Sequence, residues 1–240
     1  MRRLFPSPAE IADDLALAEA YRMPPGRTLR MDFIASLDGS IAVEGRSEGL
    51  QSPGDHRVFQ MLRALADVVL VGHGTASAER YGQVGPDTYL GRLRVALGRT
   101  PTVPIVVVSR RASLAPGDKL AVPGTLLVTC AAADAARQAA LVDAGVEVLV
   151  CGEDDVDLRL ALDVLAGRGF EQVTCEGGPQ LLRTALAAGV VDELDLSISP
   201  NLVGDRARLL DTPLGGIVRT QLRQLLEEDG MLFARYAVAP

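Results

Sequence analysis

The stretch spanning residues 173–204 constrains the fold more than any other, because it reads in one pass as strand, glycine turn, helix, strand and loop. Residues 173–175 are short and apolar. Glu176, Gly177 and Gly178 make a turn with no room for bulk, and Pro179 suits a first helical position, where its missing N–H would be unpaired anyway. Leu181, Leu182, Ala185 and Leu186 recur at helical spacing, Gly189 stops the helix, and Leu194, Leu196 and Ile198 alternate with Asp195 and Ser197 as a strand does. Two glycines let a ligand approach the backbone, and free N–H groups at a helix start favour an anion such as a pyrophosphate. A tight left-handed corner with no ligand explains the same turn, so the motif alone does not decide between them.

The rest of the chain repeats this alternation. Apolar runs at residues 29–35, 68–71, 104–109, 125–129 and 146–150 read as strands, and residues 41–43 as a short extended segment. Between them, helical spacing is expected over residues 53–66, near 90–97, over 131–144 and over 156–168. Residues 217–225 and 231–238, separated by a polar turn, read as an antiparallel hairpin. Strands alternating with helices of this length predict an α/β fold: a mostly parallel twisted sheet of about eight or nine strands, helices on both faces, and the hairpin at one edge. Residues 1–28 are expected to be a peripheral N-terminal segment and residues 29–240 a single domain, since no linker or repeat divides the chain.

Composition narrows the function classes. A net charge of −7 argues against a nucleic-acid surface. No apolar run reaches membrane-spanning length, and the first ten residues lack the apolar core of a secretory signal. Three cysteines without paired spacing and only two histidines leave little for a metal centre, so none is expected, and Cys130, Cys151 and Cys175 read as buried free thiols. These features point to a cytoplasmic protein without membrane or nucleic-acid partners.

In an open α/β sheet, ligands gather at the carboxyl ends of the parallel strands. Four of the strands expected here run into Ser36-Leu37-Asp38-Gly39, Gly72-His73-Gly74-Thr75, Ser109-Arg110-Arg111 and Glu176-Gly177-Gly178-Pro179. The set suits a phosphorylated dinucleotide. The double glycine would take the pyrophosphate, and Gly72 and Gly74 would permit close backbone approach. Arg110 and Arg111 with Ser109 would hold a ribose 2′-phosphate through guanidinium forks. The usual dinucleotide fingerprint is absent, as are the phosphate loop of nucleotide hydrolases, a zinc-deaminase signature and a nucleophile elbow. Asp38, Asp55, His56, His73, Glu79 and Glu176 are the titratable groups near these loops. Of these, Asp55 and Asp38 are the candidate proton-handling residues, although a turn and a helix start each explain one of them structurally.

Taken together, the IASLDGSIA of residues 34–42, the MLRALADVVLVGHGT of residues 61–75 and the long TCEGGPQLLRTALAAGVVDELDLSISPNLVG motif resemble the reductase domain of the bifunctional riboflavin-biosynthesis deaminase–reductases. The likeness covers roughly residues 29–238 and implies a dihydrofolate-reductase-like fold, an NADPH-dependent reductase and a homodimer. It implies NADP contacts at Ala35, Thr75, Ser109 and Gly178, Pro179, Gln180, Leu181 and Leu182, with Glu79 standing where the family has an aspartate that contacts the cofactor. It implies substrate contacts at Ser47, Arg63 and Glu176. The sequence departs from the family at residues 76–81, where the usual proline is missing. It also carries Asp55, as in a stand-alone pyrimidine reductase subgroup for which dihydrofolate-reductase-like activity has been considered. The substrate implied is 5-amino-6-(5-phosphoribosylamino)uracil. Dihydrofolate or another pterin, with Asp55 as the orienting acid, is one alternative, and a non-catalytic NADP-binding protein is another.

Overall fold

The computed structural model describes residues 1–239. Eleven strands form one sheet: β1 (Arg2–Phe5), β2 (Ala9–Glu10), β3 (Thr28–Ser36), β4 (Val68–Gly72), β5 (Ile105–Val108), β6 (Thr125–Thr129), β7 (Glu147–Val150), β8 (Gln172–Cys175), β9 (Glu193–Ser199), β10 (Thr220–Glu228) and β11 (Met231–Val238). Their spatial order is β2-β1-β10-β11-β9-β3-β8-β4-β5-β6-β7. Every ladder from β9 across to β7 is parallel, and those joining β9, β11, β10, β1 and β2 are antiparallel. The α/β architecture with a mostly parallel sheet and a C-terminal hairpin is therefore as expected.

The strand count is higher than eight or nine because β1 and β2 are not legible in the sequence. They are short and half-polar, and they owe their conformation to pairing, β1 with β10 and β2 with β1, rather than to their own pattern. The first 28 residues thus extend the sheet edge. They also contribute α1 (Asp14–Tyr21), whose Leu17, Ala18 and Tyr21 are fully buried. Residues 41–43 are not a strand: the Ile41 N–H donates to the Ala207 carbonyl (3.1 Å), and isolated bridges join Ser40 to Arg208 and Val43 to Arg46. The hairpin closes through Asp229 and Gly230, both at positive φ, the two-residue turn whose twist matches the flanking strands.

Burial on both faces explains the uninterrupted apolar strands. Val69, Val71, Ile105, Val107 and Leu127 point to one side, where they pack with α1, α2 (Pro53–Leu65), α4 (Tyr89–Ala96) and α5 (Ala135–Asp143). Val68, Leu70, Val106, Leu126 and Val128 point to the other, under α6 (Leu158–Ala166) and α7 (Pro179–Ala187). This is the period-two alternation of a strand sandwiched between helices. The three cysteines are free and buried.

One buried polar side chain fixes the helix that carries much of the site. Arg94, 2% exposed, donates from Nη1 to the carbonyl oxygens of Arg63 (2.9 Å) and Ala66 (2.7 Å), and from Nε to that of Thr100 (2.8 Å). It thereby satisfies carbonyls at the C-terminal end of α2 that have no partner within the helix. At the other end, the Ser52 hydroxyl accepts from the Asp55 N–H (3.1 Å), so α2 is capped at both ends and held in register over the sheet.

Candidate active site

The carboxyl ends of β3, β4, β5 and β8 open onto two adjoining cavities. The larger, about 770 Å³, is lined by Gly72, His73, Gly74, Thr75, Ser109, Arg110, Arg111, Gly178, Pro179, Gln180, Leu181 and Thr184, with Asp155, Val156 and Leu158 from the loop and start of α6. The smaller, about 310 Å³, lies between β3, α2 and the loop at residues 41–51. Gly74, Thr75, Gly178 and Pro179 line both. A molecule lying along the first therefore meets a molecule held in the second at this four-residue junction.

The trough fits a phosphorylated dinucleotide on two structural grounds. First, the floor is built from backbone at close approach. The Gly72 N–H donates to the Gly177 carbonyl (2.8 Å), and a β-carbon on Gly72 would stand 3.4 Å from the Gly178 nitrogen. A β-carbon on Gly178 would collide with the Thr75 hydroxyl. Second, α7 begins at this floor with Gly178 as its N-cap and no side chain capping it, so first-turn N–H groups remain free to meet an anion. Exposed Arg110 and Arg111 sit at the far end, next to Ser109, whose hydroxyl accepts the Ser113 N–H (2.9 Å) and shapes that turn.

Of the residues assigned to cofactor contact from sequence, Gly72, Gly74, Thr75, Ser109, Arg110, Arg111, Gly178, Pro179, Gln180 and Leu181 line the trough. Gly177 faces the smaller cavity, with the Phe33 ring against it. Leu182 does not line the trough: it is 1% exposed, on the face of α7 that packs into the core. Ala35 is buried in β3 and lines neither cavity. Glu79 is in the smaller cavity rather than the trough, where its carboxylate accepts the Ser47 N–H (2.7 Å).

The smaller cavity is lined by Asp32, Phe33, Ile34, Ser47, Gln51, Asp55, Phe59, Glu79, Tyr81 and Glu176, among others. Ser47 and Glu176 are thus where a substrate would be met. Arg63 is behind them. It grips Glu176 in a buried two-pronged ion pair, Nε to Oε1 and Nη2 to Oε2, both 2.6 Å, with its guanidinium 4.3 Å from the Phe59 ring centre. The Tyr81 hydroxyl donates to the same Oε2 (2.7 Å). Burial pulls the Arg63 pKa down, but Glu176 outweighs it and holds the guanidinium charged. Burial, then Glu176, drives the Tyr81 phenol well up, so it stays a donor. Arg63 therefore orients Glu176 rather than facing the cavity.

The two proton-handling candidates separate. Asp55, 7% exposed, lines the smaller cavity, and burial raises its pKa against the opposing effects of the Ser197 hydroxyl and His56. Asp38 lines neither cavity. Its carboxylate accepts the Ser36 hydroxyl (2.5 Å) and the N–H groups of Val203 (3.1 Å) and Gly204 (2.7 Å), which hold its pKa far below the usual carboxylate range. It ties the turn after β3 to the loop after β9, and with its lone pairs so used it is poorly placed as an acid.

Asp32, Phe33, Phe59 and Tyr81 are cavity residues that sequence reasoning does not single out. A signal for Asp32 exists: residues 29–35 of β3 are apolar except for Arg30 and Asp32, and an acid there breaks the pattern of a buried strand. Tyr81 lies in the segment that departs from the family, where no pattern marks it.

With this geometry in place, comparison with known proteins gives a consistent result. Residues 27–227 match the family model described as the RibD C-terminal domain. The 2,5-diamino-6-ribosylamino-4(3H)-pyrimidinone 5′-phosphate reductase of Methanothermobacter thermautotrophicus is 33% identical over 173 residues, which is 71% of this chain and 76% of that protein. The riboflavin biosynthesis protein RibD of Bacillus amyloliquefaciens is 30% identical over 71% of this chain, which spans 44% of that longer protein. A crystal structure of a pyrimidine reductase-like protein from Corynebacterium diphtheriae superposes with a TM-score of 0.79 at 29% identity, covering 89% of this chain and 92% of that one.

Proposed function

The chain belongs to the RibD C-terminal domain family, and from that premise we propose that it is an NADPH-dependent reductase of riboflavin biosynthesis that reduces the ribosyl group of a phosphoribosylaminopyrimidine to the ribityl group. The observation that carries this reading is the junction at Gly74, Thr75, Gly178 and Pro179, where a dinucleotide trough and a substrate cavity share a wall. When bound, NADPH would supply the hydride for C1 of the opened sugar, with a proton completing the addition at the adjoining nitrogen. The protein's part is to hold the two molecules in line and keep water out. Gly72, Gly178 and the start of α7 seat the pyrophosphate, and Ser109, Arg110 and Arg111 take the 2′-phosphate. Ser47, Asp55 and Glu176 face the substrate, with Arg63 and Tyr81 fixing Glu176 in place.

The altered segment at residues 76–81 supports a working site rather than a lost one. Ala76 is buried in the core, and Tyr81 contributes both a cavity wall and a hydrogen bond to Glu176. The decisive assay is NADPH oxidation by the purified chain on adding a phosphoribosylaminopyrimidine, with dihydrofolate in a parallel arm. Dihydrofolate is the second reading because Asp55 places a carboxyl of raised pKa in the cavity, suited to orient a pterin and assist ring protonation. Turnover of dihydrofolate alone would replace the first reading with the second, and turnover of neither would end both.

Replacing Arg110 and Arg111 together with alanine is expected to weaken NADPH by about 10- to 100-fold and NADH by less than about threefold, because only NADPH carries the phosphate that charge-assisted forks recognise. Equal losses in a fluorescence titration would remove the assignment of these arginines.

The reading also includes a homodimer. On the sheet face where α6 and α7 cover the parallel strands, β9, β10 and β11 carry the half-exposed apolar side chains Leu194, Leu196, Ile198, Leu225, Leu232 and Tyr236. A second copy would cover them, and a monomer mass in sedimentation velocity at micromolar concentration would refute it. Among the described residues no helix is long and apolar enough to cross a membrane. A cytoplasmic location follows from the biosynthetic reading.

A further inference from the structure

On the sheet face beneath α1 and α2, alternate residues of β3, β9 and β11 bring charged side chains into one row. Register sets Arg30 beside Glu193, Asp32 beside Asp195, and Asp195 in turn beside Arg235. The cations are committed at one end of this row. Arg30 and Arg235 both grip Glu193, at 2.7 and 2.6 Å, and both guanidiniums lie over the Tyr21 ring of α1. Asp195 has the Arg30 Nε at 2.8 Å, a nitrogen that Glu193 also holds at 2.8 Å, and the Arg235 Nε only at 3.8 Å. Neither Asp195 oxygen accepts a well-directed hydrogen bond among the described residues. Asp32 forms no ion pair among them, and it alone of the three acids lines the smaller cavity. Three carboxyl groups therefore share two guanidiniums in a space withdrawn from water, and one proton balances the row.

We propose that Asp32 is the proton donor of the reduction, and that Asp195, behind it and out of reach of the substrate, is a positioning residue that keeps the proton on Asp32. This rests on the reductase reading and assigns the proton that the reading leaves without a source. The groups around Asp32 all bear on the choice. Asp195 faces it from β9, Asp55 from α2 and Glu176 from the end of β8, while Arg30 on its own strand is the cation nearest in the row. Burial, then the charges of Asp195, Asp55 and Glu176, drive the Asp32 pKa well up against Arg30. Burial also pushes Asp195 up, to about 7, with Arg30 pulling it back. Asp195 thus releases its proton first, and its charge then holds the proton of Asp32. The other acids of the cavity are poorer donors. Glu176 is held as a carboxylate by Arg63, Glu79 accepts the Ser47 N–H, and the Ser197 hydroxyl and the first-turn dipole of α2 favour ionised Asp55. In the step itself, C1 of the opened sugar receives a hydride from the nicotinamide, which ends oxidised, and the C1–N π bond opens onto nitrogen. The Asp32 O–H bond breaks, its proton forms the new N–H bond, and Asp32 is left as a carboxylate. Water returns the proton once product has left.

The test follows kcat against pH for the full chain, with NADPH and a phosphoribosylaminopyrimidine as substrates. Asp32→Asn keeps the shape of the acid but has no proton to give, so kcat should fall at least about 100-fold at every pH while NADPH binding changes less than about threefold. Asp195→Asn removes the charge that holds the proton. At pH about 5.5 its kcat should stay within about threefold of the unmodified chain, but the loss of activity at alkaline pH should begin at least about one unit lower. A merely structural role for Asp195 would lower kcat without moving that limb. An unmoved limb in Asp195→Asn would overturn the positioning role, and an Asp32→Asn variant retaining more than about a tenth of kcat would overturn the donor. Should Asp195→Asn fail to fold, infrared difference spectra between the unmodified, NADPH-loaded chain and Asp32→Asn decide the matter: a protonated carboxyl band must be lost at neutral pH, and its absence from the unmodified chain sinks the proposal. If no substrate is turned over, the reductase reading fails and the donor role with it, while the same band still reports whether Asp32 holds a proton.

Discussion

Replacing Arg63 with methionine is expected to destabilise the protein by about 3–5 kcal/mol, the cost of leaving a buried charge without its partner. Both partners are withdrawn from water: the side chain of Arg63 is 9% exposed and that of Glu176 2%. Methionine keeps most of the apolar contact with Phe59 and Tyr81, so the loss isolates the charge. The Tyr81 hydroxyl alone cannot compensate a carboxylate that two guanidinium donors now satisfy. Arg63→Lys should recover the charge but not the fork, giving an intermediate loss. The double change Arg63→Met with Glu176→Gln should recover most of the single variant's loss. Urea unfolding measures all three, and a single-variant loss under about 1 kcal/mol would show that the pair contributes little to the fold. Because Glu176 also faces the cavity, the lysine variant should lose turnover out of proportion to its stability, as the carboxylate is no longer held at one angle.

This ion pair also shows where sequence reasoning stops. Arg63 and Glu176 both stand out in the sequence, yet 113 positions separate them, and nothing in either segment says that they satisfy each other. The strand ends are legible because backbone chemistry writes them locally. Apolar runs end at glycines, and Gly72, Gly74, Gly177 and Gly178 converge because parallel strands present their carboxyl ends on one edge. Side-chain direction is less legible. Leu182 sits in the cofactor motif yet faces the core, since helical periodicity turns it away from its neighbour Leu181. Asp38 belongs to the ASLDG motif, but its oxygens close a link to Val203 and Gly204 in a loop that sequence does not place beside it. The edge strands β1 and β2 escape for the same reason, as β2 pairs with β1 and the partner of β1, β10, lies more than 200 residues away.

Gly178→Ala should weaken NADPH at least about 100-fold, or about 2.7 kcal/mol of binding free energy, with a smaller effect on folding than Arg63→Met. The φ of −91° and ψ of −168° there are extended, so no left-handed backbone strain contributes. The effect comes from the added methyl, which falls on the Thr75 hydroxyl. Thr75 is β-branched on the short helix α3 (His73–Ala78), which limits the rotamers through which its hydroxyl can move aside. The turn must lift instead, and Gly178 is the N-cap that aims the free N–H groups of α7 into the trough. Gly72 limits that movement, since its N–H is bonded to the Gly177 carbonyl. The clash and the cofactor contact can be separated by a cycle. Thr75→Ala alone removes one hydroxyl and should cost NADPH binding about tenfold or less. Combined with Gly178→Ala it removes the obstructing oxygen, so the double variant should bind more tightly than Gly178→Ala alone. Titration of NADPH fluorescence reads each corner of the cycle. Additive losses would mean that the methyl acts by filling cofactor space instead of by displacing Thr75, and a loss below about fivefold for Gly178→Ala would remove this turn from the pyrophosphate seat.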